Sequence, residues 1–236
     1  MKVVILAGGL GTRLPEYTRL IPKPMVQIGR KPILRHIIDY YVSFGFKDFI
    51  IALGYKGNII RKYFNKNKVK DANISLIDTG KNTLTGGRLK RLEKFLDGKF
   101  FLTYGDGLSD VNLSKLLKFH NKHKKLATVT AVKPIARFGE LKIKREKVTN
   151  FKEKPNASEA GWINGGFFVI EKPFLKLIKN DKTILEKEPL EQASKRRQLV
   201  AFKHKKFWYC MDTKREKDVL ENLLKSKKAP WIRRTR

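Results

Sequence analysis

A chain of 236 residues with 41% apolar and 11% aromatic content can bury a large core and is too apolar to stay disordered. Its formal charge of +31 raises nucleic-acid binding, but the basic residues are scattered, as in KFHNKHKK and KRRQ, with no nucleic-acid-binding module and no basic face interleaved with aromatics. No stretch approaches the roughly 18 apolar residues of a membrane span, the apolar run at residues 3–7 is too short for a signal peptide, and the single cysteine, Cys210, excludes an internal disulfide. A cytoplasmic protein with no membrane partner, no specific nucleic-acid partner and no zinc site is expected, and Cys210 reads as a small residue in a strand. The charge itself has two readings that stay open: a solvated lysine coat, or a positive field that draws in phosphorylated small molecules.

In chain order, KVVILAG reads as a buried strand and PILRHIIDYYVSFG as a helix opened by Pro32 and closed by Gly45. DFIIALGY is a second strand, NIIRKYFN a short helix, and ISLIDTG a third strand. GGRLKRLEKFLDG reads as a helix with Leu89, Leu92 and Leu96 on one face, and KFFLTYGDG as a fourth strand ending in a turn. LSKLLKFHNKH and ATVTAVKP add a helix and a strand. This βαβαβαβαβ rhythm predicts a doubly wound, mostly parallel, Rossmann-like sheet, because parallel strands need crossover connections. Ligands of such sheets bind beyond the carboxyl ends of the strands, where Gly8 to Arg13 and Gly105 to Gly107 fall.

Past Pro134 the pattern changes to an added β-hairpin and helical subregion. ELKIKREKVTNFKEKP predicts a hairpin turning near 145–147, and GWINGGFFVIEK a strand interrupted by Gly-Gly, where a ligand or another backbone comes close. A helical stretch is expected over 173–196 with Pro189 as an interruption, then a second hairpin in LVAFKHKKFWYCMDT and a last helix over 214–225. With no long linker or repeat, 1–236 reads as a single domain, in which 1–134 is the core and 135–236 an added C-terminal part.

The opening MKVVILAGGLGTRLPEYTRLIPKP ends a strand in a glycine turn, followed at once by Arg13 and ten residues later by Lys23 between two prolines. It is neither a P-loop, since GxxxxGK[ST] is absent, nor a dinucleotide fingerprint, since Leu14 stands at the third glycine position. A glycine turn alone is often only a tight turn. Beside a guanidinium and an ammonium, its unblocked amides can cradle a polyphosphate, while the two cations neutralise charge on a phosphate under attack.

GGLGTRLPEYTRLIPKP resembles the signature of the sugar-1-phosphate nucleotidylyltransferases, GGxGTRL followed after a spacer by PKP. The likeness covers essentially the whole chain. TGGRLKR, FLTYGDG, RFGEL, FKEKP, INGGFFVI, EKEPLE, FW followed by MDT, and KAPW resemble the glucose-1-phosphate cytidylyltransferases in particular. The resemblance implies a GT-A-like nucleotidyltransferase fold and an in-line attack of glucose 1-phosphate on the α-phosphate of CTP, with Mg²⁺ as cofactor.

It further implies that 1–134 is the nucleotide-binding core and 135–236 the sugar-phosphate-binding and C-terminal part, and it implies roles. Leu6, Ala7, Gly8, Gly9, Leu10 and Gly11 hold the base and ribose, Thr12 and Arg13 take the phosphates, and Lys23 bridges the α-phosphate and the sugar phosphate. Asp106 and Asp212 hold the metal, although each Asp alone also reads as a turn residue or helix cap. Thr83 and Arg88 contact the nucleotide at its base, and Gly105 lets substrate pack on the backbone. On the sugar side Glu153 accepts from hydroxyls, Lys154 pairs with the phosphate, and Gly139 and Asn164 line the pocket. Without the resemblance Glu153 and Lys154 read as an exposed pair on a hairpin.

The segment between Phe64 and LIDTG is shorter than in the cytidylyltransferases, where it is associated with subunit contacts, so a homo-oligomer stays open. Arg30 stands where glycine is usual. The alternatives are another nucleoside triphosphate or hexose phosphate, and a noncatalytic nucleotide- or nucleic-acid-binding protein, which has no need of two metal carboxylates.

Overall fold

The computed structural model describes residues 1–134, 139–153 and 161–233. Strand β1 (Lys2–Leu6) leads through the glycine turn to a one-turn helix α1 (Pro15–Thr18), a short strand pair β2 (Gln27–Ile28) and β3 (Lys31–Pro32), and α2 (Ile33–Val42). Then follow β4 (Asp48–Leu53), α3 (Gly57–Lys66), β5 (Asn73–Asp78), α4 (Thr85–Arg91), β6 (Lys99–Tyr104), β7 (Gly107–Ser109), α5 (Leu113–His123) and β8 (Ala127–Val132). The remainder forms β9 (Glu140–Lys144), β10 (Lys147–Lys152), β11 (Ile163–Glu171), α6 (Glu188–Lys195), β12 (Leu199–His204), β13 (Trp208–Cys210) and α7 (Lys214–Lys225).

Seven strands make the main sheet in the order β12-β8-β11-β6-β1-β4-β5. All neighbours in it are parallel except β11, which runs antiparallel between β6 and β8. The sheet is doubly wound because β1 is apolar on both faces. Val3 and Ile5 join the core formed with Ile33, Ile37 and Tyr41 of α2, while Val4 and Leu6 join the opposite core with Leu89, Leu92, Phe174 and Leu190. The expected leucine face of 89, 92 and 96 is fully buried, but α4 ends at Arg91 and a separate 3₁₀ turn carries Glu93–Phe95.

Two expectations past Pro134 are corrected. The helical stretch over 173–196 is a 3₁₀ turn, Lys172–Leu177, then irregular backbone, then α6, in whose first turn Pro189 sits. Proline lacks an N–H, and the first helical turn does not need one, so Pro189 opens this helix instead of interrupting it. LVAFKHKKFWYCMDT is not a hairpin either. β12 extends the main sheet parallel to β8, and β13 pairs antiparallel with β7, so the backbone groups of each strand are satisfied by a partner other than the other.

The first hairpin is present as β9 and β10, turning through Arg145 at φ +54°. The Gly-Gly interruption is a register shift between Asn164 and Phe168, with Gly166 at φ +77°. An added Cβ at Gly166 would lie 2.6 Å from the Tyr104 ring, so that glycine serves both the backbone conformation and the close approach.

Where α5 meets the sheet, two histidines share one hydroxyl. His120 Nδ1 and His123 Nε2 lie 2.8 and 2.7 Å from Thr128 Oγ1, His120 Nε2 lies 3.2 Å from Glu171 Oε1, and His123 Nδ1 accepts from the Lys125 N–H at 3.0 Å. Burial lowers the pKa of both below the usual 6.5, and does the same to His36 under Trp231. The unfolded chain therefore takes up protons before the folded one, and stability held above pH 6.5 is lost as pH falls through that value. The melting temperature should drop between pH 7.5 and 5.5, and a flat profile over that interval would contradict neutral buried histidines.

Candidate active site

At the carboxyl end of the central strands four charged side chains meet. Asp106 follows β6 in Tyr104-Gly105-Asp106-Gly107, and Asp212 follows β13. The β7–β13 ladder places them together: Cys210 lies opposite Gly107, and the next amide, Met211 N–H, donates to the Asp106 carbonyl at 2.9 Å. Lys23 opens a 3₁₀ turn between Pro22 and Pro24, and its Nζ donates to Asp106 Oδ2 and Asp212 Oδ1, both at 2.6 Å. Arg13 Nη1 donates to the second Asp212 oxygen at 2.6 Å from a side chain that is otherwise 74% exposed.

Burial works against the Lys23 ammonium, yet the Asp106 charge and the hydrogen bonds it donates to both aspartates outweigh it and hold the pKa above its usual value. The cap reading of Asp212 is replaced by the observed geometry. Thr213 is the N-cap of α7, in a capping box with Glu216, whose carboxylate also accepts from the Asp212 amide at 2.7 Å. The Asp212 side chain is thereby left to face Lys23 and Arg13.

Cys210 lies in a strand, as expected, but at a position the sequence did not mark. Its sulfur and the carboxylates of Asp106 and Asp212 lie within 4.8 Å of one another, and burial with the aspartate charges pushes the thiol pKa up. Two adjacent carboxylates bridged by a cation are a hard oxygen donor set, which fits a divalent ion, whereas a thiol that stays protonated adds no ligand for one.

The glycine turn is shaped from below. Arg88, 4% exposed, places its guanidinium against the backbone of Gly8 and Gly54, where an added Cβ would lie 2.4 and 2.3 Å from Nη1. Nη1 donates to Leu53 O, Thr79 Oγ1 and Gly80 O at 3.1, 2.9 and 2.6 Å, and Nη2 to Gly8 O and Lys81 O at 2.8 and 3.2 Å. Burial lowers its pKa. Leu6 and Ala7 are buried at the strand end, Gly9 and Leu10 are open, and nothing lies within 4 Å of a Cβ built on Gly9. Gly11, at φ +67°, closes the turn against Thr18, whose hydroxyl donates to its carbonyl at 3.0 Å, with Thr12 exposed beyond it.

Thr83 is buried beside Gly80, and the room beside Gly105 is taken by Pro24, 2.9 Å from an added Cβ. Asn164 donates to the Tyr104 hydroxyl at 3.4 Å. Gly139 and Glu153 face each other at the root of the β9–β10 hairpin, where a Cβ on Gly139 would lie 3.0 Å from Glu153 Oε2. Lys154 lies outside the described residues. Tyr104, Thr85 and Glu186 form a polar cluster beside Asn164 that carried no assigned role, although each falls in a motif of the resemblance.

This sheet and charged cleft belong to a nucleotide-handling α/β protein. Residues 2–222 match the nucleotidyl transferase family, and the chain belongs to that family. It is 46% identical over 254 aligned residues to glucose-1-phosphate cytidylyltransferase of Salmonella typhimurium, covering 98% of each chain. Among solved structures, HddC from Yersinia pseudotuberculosis complexed with GMP-PN is 26% identical with a TM-score of 0.76, over 94% of this chain and 99% of that one. A UDP-glucose pyrophosphorylase complexed with UDP-glucose shares the fold at 18% identity and a TM-score of 0.73, over 96% and 98% of the chains.

The position of Lys23 carries a measurable consequence. Its ammonium occupies the space between the Asp106 and Asp212 oxygens, so the free protein should bind Mn²⁺ weakly. Lys23→Met should bind it on the order of tenfold tighter or more, well within the ~4 kcal/mol repulsion of unit charges about 4 Å apart at an effective dielectric of about 20. Titration of Mn²⁺ followed by electron paramagnetic resonance checks this, and equal affinity in both proteins would contradict it.

Proposed function

We propose that this protein is a glucose-1-phosphate cytidylyltransferase, joining CTP and α-D-glucose 1-phosphate into CDP-glucose with release of diphosphate. The observation that carries this reading is the junction of Lys23 and Arg13 with Asp106 and Asp212, 2.6 Å apart at each contact, at the carboxyl edge of the sheet. The choice of CTP and glucose 1-phosphate follows the Salmonella relative. An oxygen of the sugar phosphate attacks the α-phosphorus of CTP, a new P–O–P bridge forms, and the bond from that phosphorus to the β-phosphate oxygen breaks in line. Both partners are anionic, so bringing them together is the main barrier, and fixed cations lower it.

Lys23, on backbone constrained by Pro22 and Pro24, bridges the α-phosphate and the incoming sugar phosphate. Arg13, exposed and tethered by one contact, swings to the phosphates with Thr12. Asp106 and Asp212 would hold Mg²⁺, which neutralises phosphate charge when bound. The backbone from Leu6 to Gly11 receives the nucleoside. Arg88 directs its donors to the carbonyls beneath that turn, which makes it the support of the nucleotide platform, with Thr83 beside it. Gly105 seats Pro24 and so sets Lys23. Asn164, Glu153, Gly139 and Lys154 serve the sugar phosphate.

A panel of nucleoside triphosphates against several hexose 1-phosphates, read by pyrophosphate release, tests the reading: CTP with glucose 1-phosphate should give the highest kcat/KM. Asp106→Asn and Asp212→Asn should keep the far-ultraviolet dichroism of the parent and nearly abolish turnover. Most activity surviving in either would remove the metal assignment.

Arg13→Ala should lower kcat by about 10²- to 10³-fold, the range for losing one donor to developing charge. A change in KM alone would place Arg13 in ground-state binding instead.

A further inference from the structure

Three segments beside the charged cluster converge on one carboxylate outside it. Tyr104 ends β6, Thr85 opens α4 and Asn164 lies in β11. The Tyr104 hydroxyl donates to Glu186 Oε1, and the Thr85 hydroxyl donates to Glu186 Oε2 at 2.7 Å. Thr85 Oγ1 accepts from the Leu185 amide at 2.9 Å, Asn164 Nδ2 donates to the Tyr104 oxygen at 3.4 Å, and Asn164 Oδ1 accepts from the Gly166 amide at 2.8 Å. These bonds all run in one direction, from backbone amides into the carboxylate, so every proton in the chain has an assigned place. The single proton of Tyr104 goes to Glu186, and toward a ligand the phenol oxygen can only accept. Asn164 keeps a second N–H to donate. Glu186 is exposed and keeps lone pairs for another donor.

In a chain with 53 lysines and arginines, the described residues place no cation on Glu186. Arg91 pairs with Asp181 and Lys179 with Glu188 on either side of it. Every described donor to this carboxylate is a neutral hydroxyl. The phenol is also held rigidly, its ring against the bare Cα of Gly166 and edge-on to Phe168 at 6.1 Å.

We propose that Glu186, together with Tyr104 and Asn164, reads the hydroxyl groups of the hexose 1-phosphate and is a specificity-determining residue for the sugar. This rests on the reaction proposed above. A sugar hydroxyl both donates and accepts. Two acceptor-only oxygens beside a donor amide therefore suit neighbouring hydroxyls in one configuration, one donating to Glu186 and the next accepting from Asn164. An epimer that turns one hydroxyl away leaves these groups unpaired, the situation in which hydrogen-bonding sites discriminate most strongly.

The experiment measures initial rates of pyrophosphate release for the parent, Glu186→Gln and Tyr104→Phe, with glucose, galactose and mannose 1-phosphates at saturating CTP, then with CTP and UTP varied. Glu186→Gln should raise KM for glucose 1-phosphate about tenfold or more, as loss of a charge-assisted acceptor does, with KM for CTP within about twofold. The preference for glucose 1-phosphate over its epimers should narrow in parallel. Tyr104→Phe keeps the ring against Gly166 and should move the same sugar constants in the same direction. Unchanged sugar KM and epimer ratio in Glu186→Gln, with an active parent, would overturn this inference and leave the reaction standing. A raised CTP KM with lost discrimination against UTP would also overturn it, assigning Glu186 to the exocyclic amine of the base. A parent inactive with every nucleotide and hexose phosphate would instead remove the reaction, and this inference with it.

Discussion

The Lys23 ammonium lies 2.6 Å from an oxygen of Asp106 and 2.6 Å from an oxygen of Asp212, and the three side chains are 9%, 23% and 11% exposed. Two carboxylates this close and this dry repel one another, and the Lys23 ammonium between them offsets that repulsion. Moving three charges out of water is costly, and it is tolerated because each has a charged partner and Arg13 completes the set from the solvent side. The surrounding structure serves that contact. Pro22 and Pro24 limit the backbone that carries Lys23, Gly105 leaves space for Pro24, and the β7–β13 ladder brings the second aspartate across from the far end of the chain.

From that junction the cleft divides. On one side the glycine turn lies over the buried Arg88, whose bonds to Gly8 O, Leu53 O and Gly80 O tie the ends of β1 and β4 and the turn after β5 into a single platform. On the other side β11 has been inserted antiparallel between β6 and β8, and its irregular start at Asn164 to Gly166 opens toward Tyr104. The groups proposed to face the nucleotide and the sugar thus come from neighbouring strands whose carboxyl ends, or in β11 the amino end, share one edge of the sheet. The buried core sets the precision here: strands apolar on both faces leave little freedom to shift, and the charged groups inherit that rigidity.

Much of this was legible in the residues. Period-two and continuous apolar runs located β1, β4, β5, β6 and β8, and the 3.6-residue pattern with Pro32 and Gly45 located α2. The alternation of these elements implied the parallel sheet, and the glycine turn with Arg13 and Lys23 implied an anion beyond β1. The helical reading over 173–196 failed because Phe174, Leu175, Leu177 and Leu185 are spaced to fill the core from irregular backbone, and burial alone does not distinguish that from a helix. The resemblance, not the local pattern, joined Asp106 to Asp212.

What the sequence determined by itself is therefore the set of elements whose signal is local: apolar periodicity, proline and glycine at element ends, and a glycine turn open to an anion. What only the tertiary structure decided is which distant backbones pair. WYC reads equally well as the return strand of a hairpin with β12, yet it pairs with GLS of β7, and that choice alone puts Asp212 and Cys210 beside Asp106. The same holds for Glu186, an ordinary exposed glutamate until Thr85 and Tyr104 turn their hydroxyls onto it. A three-residue strand or a single carboxylate carries too little local preference to name its partner. The partner is selected by the hydrogen bonds and packed faces left over once the long strands have assembled.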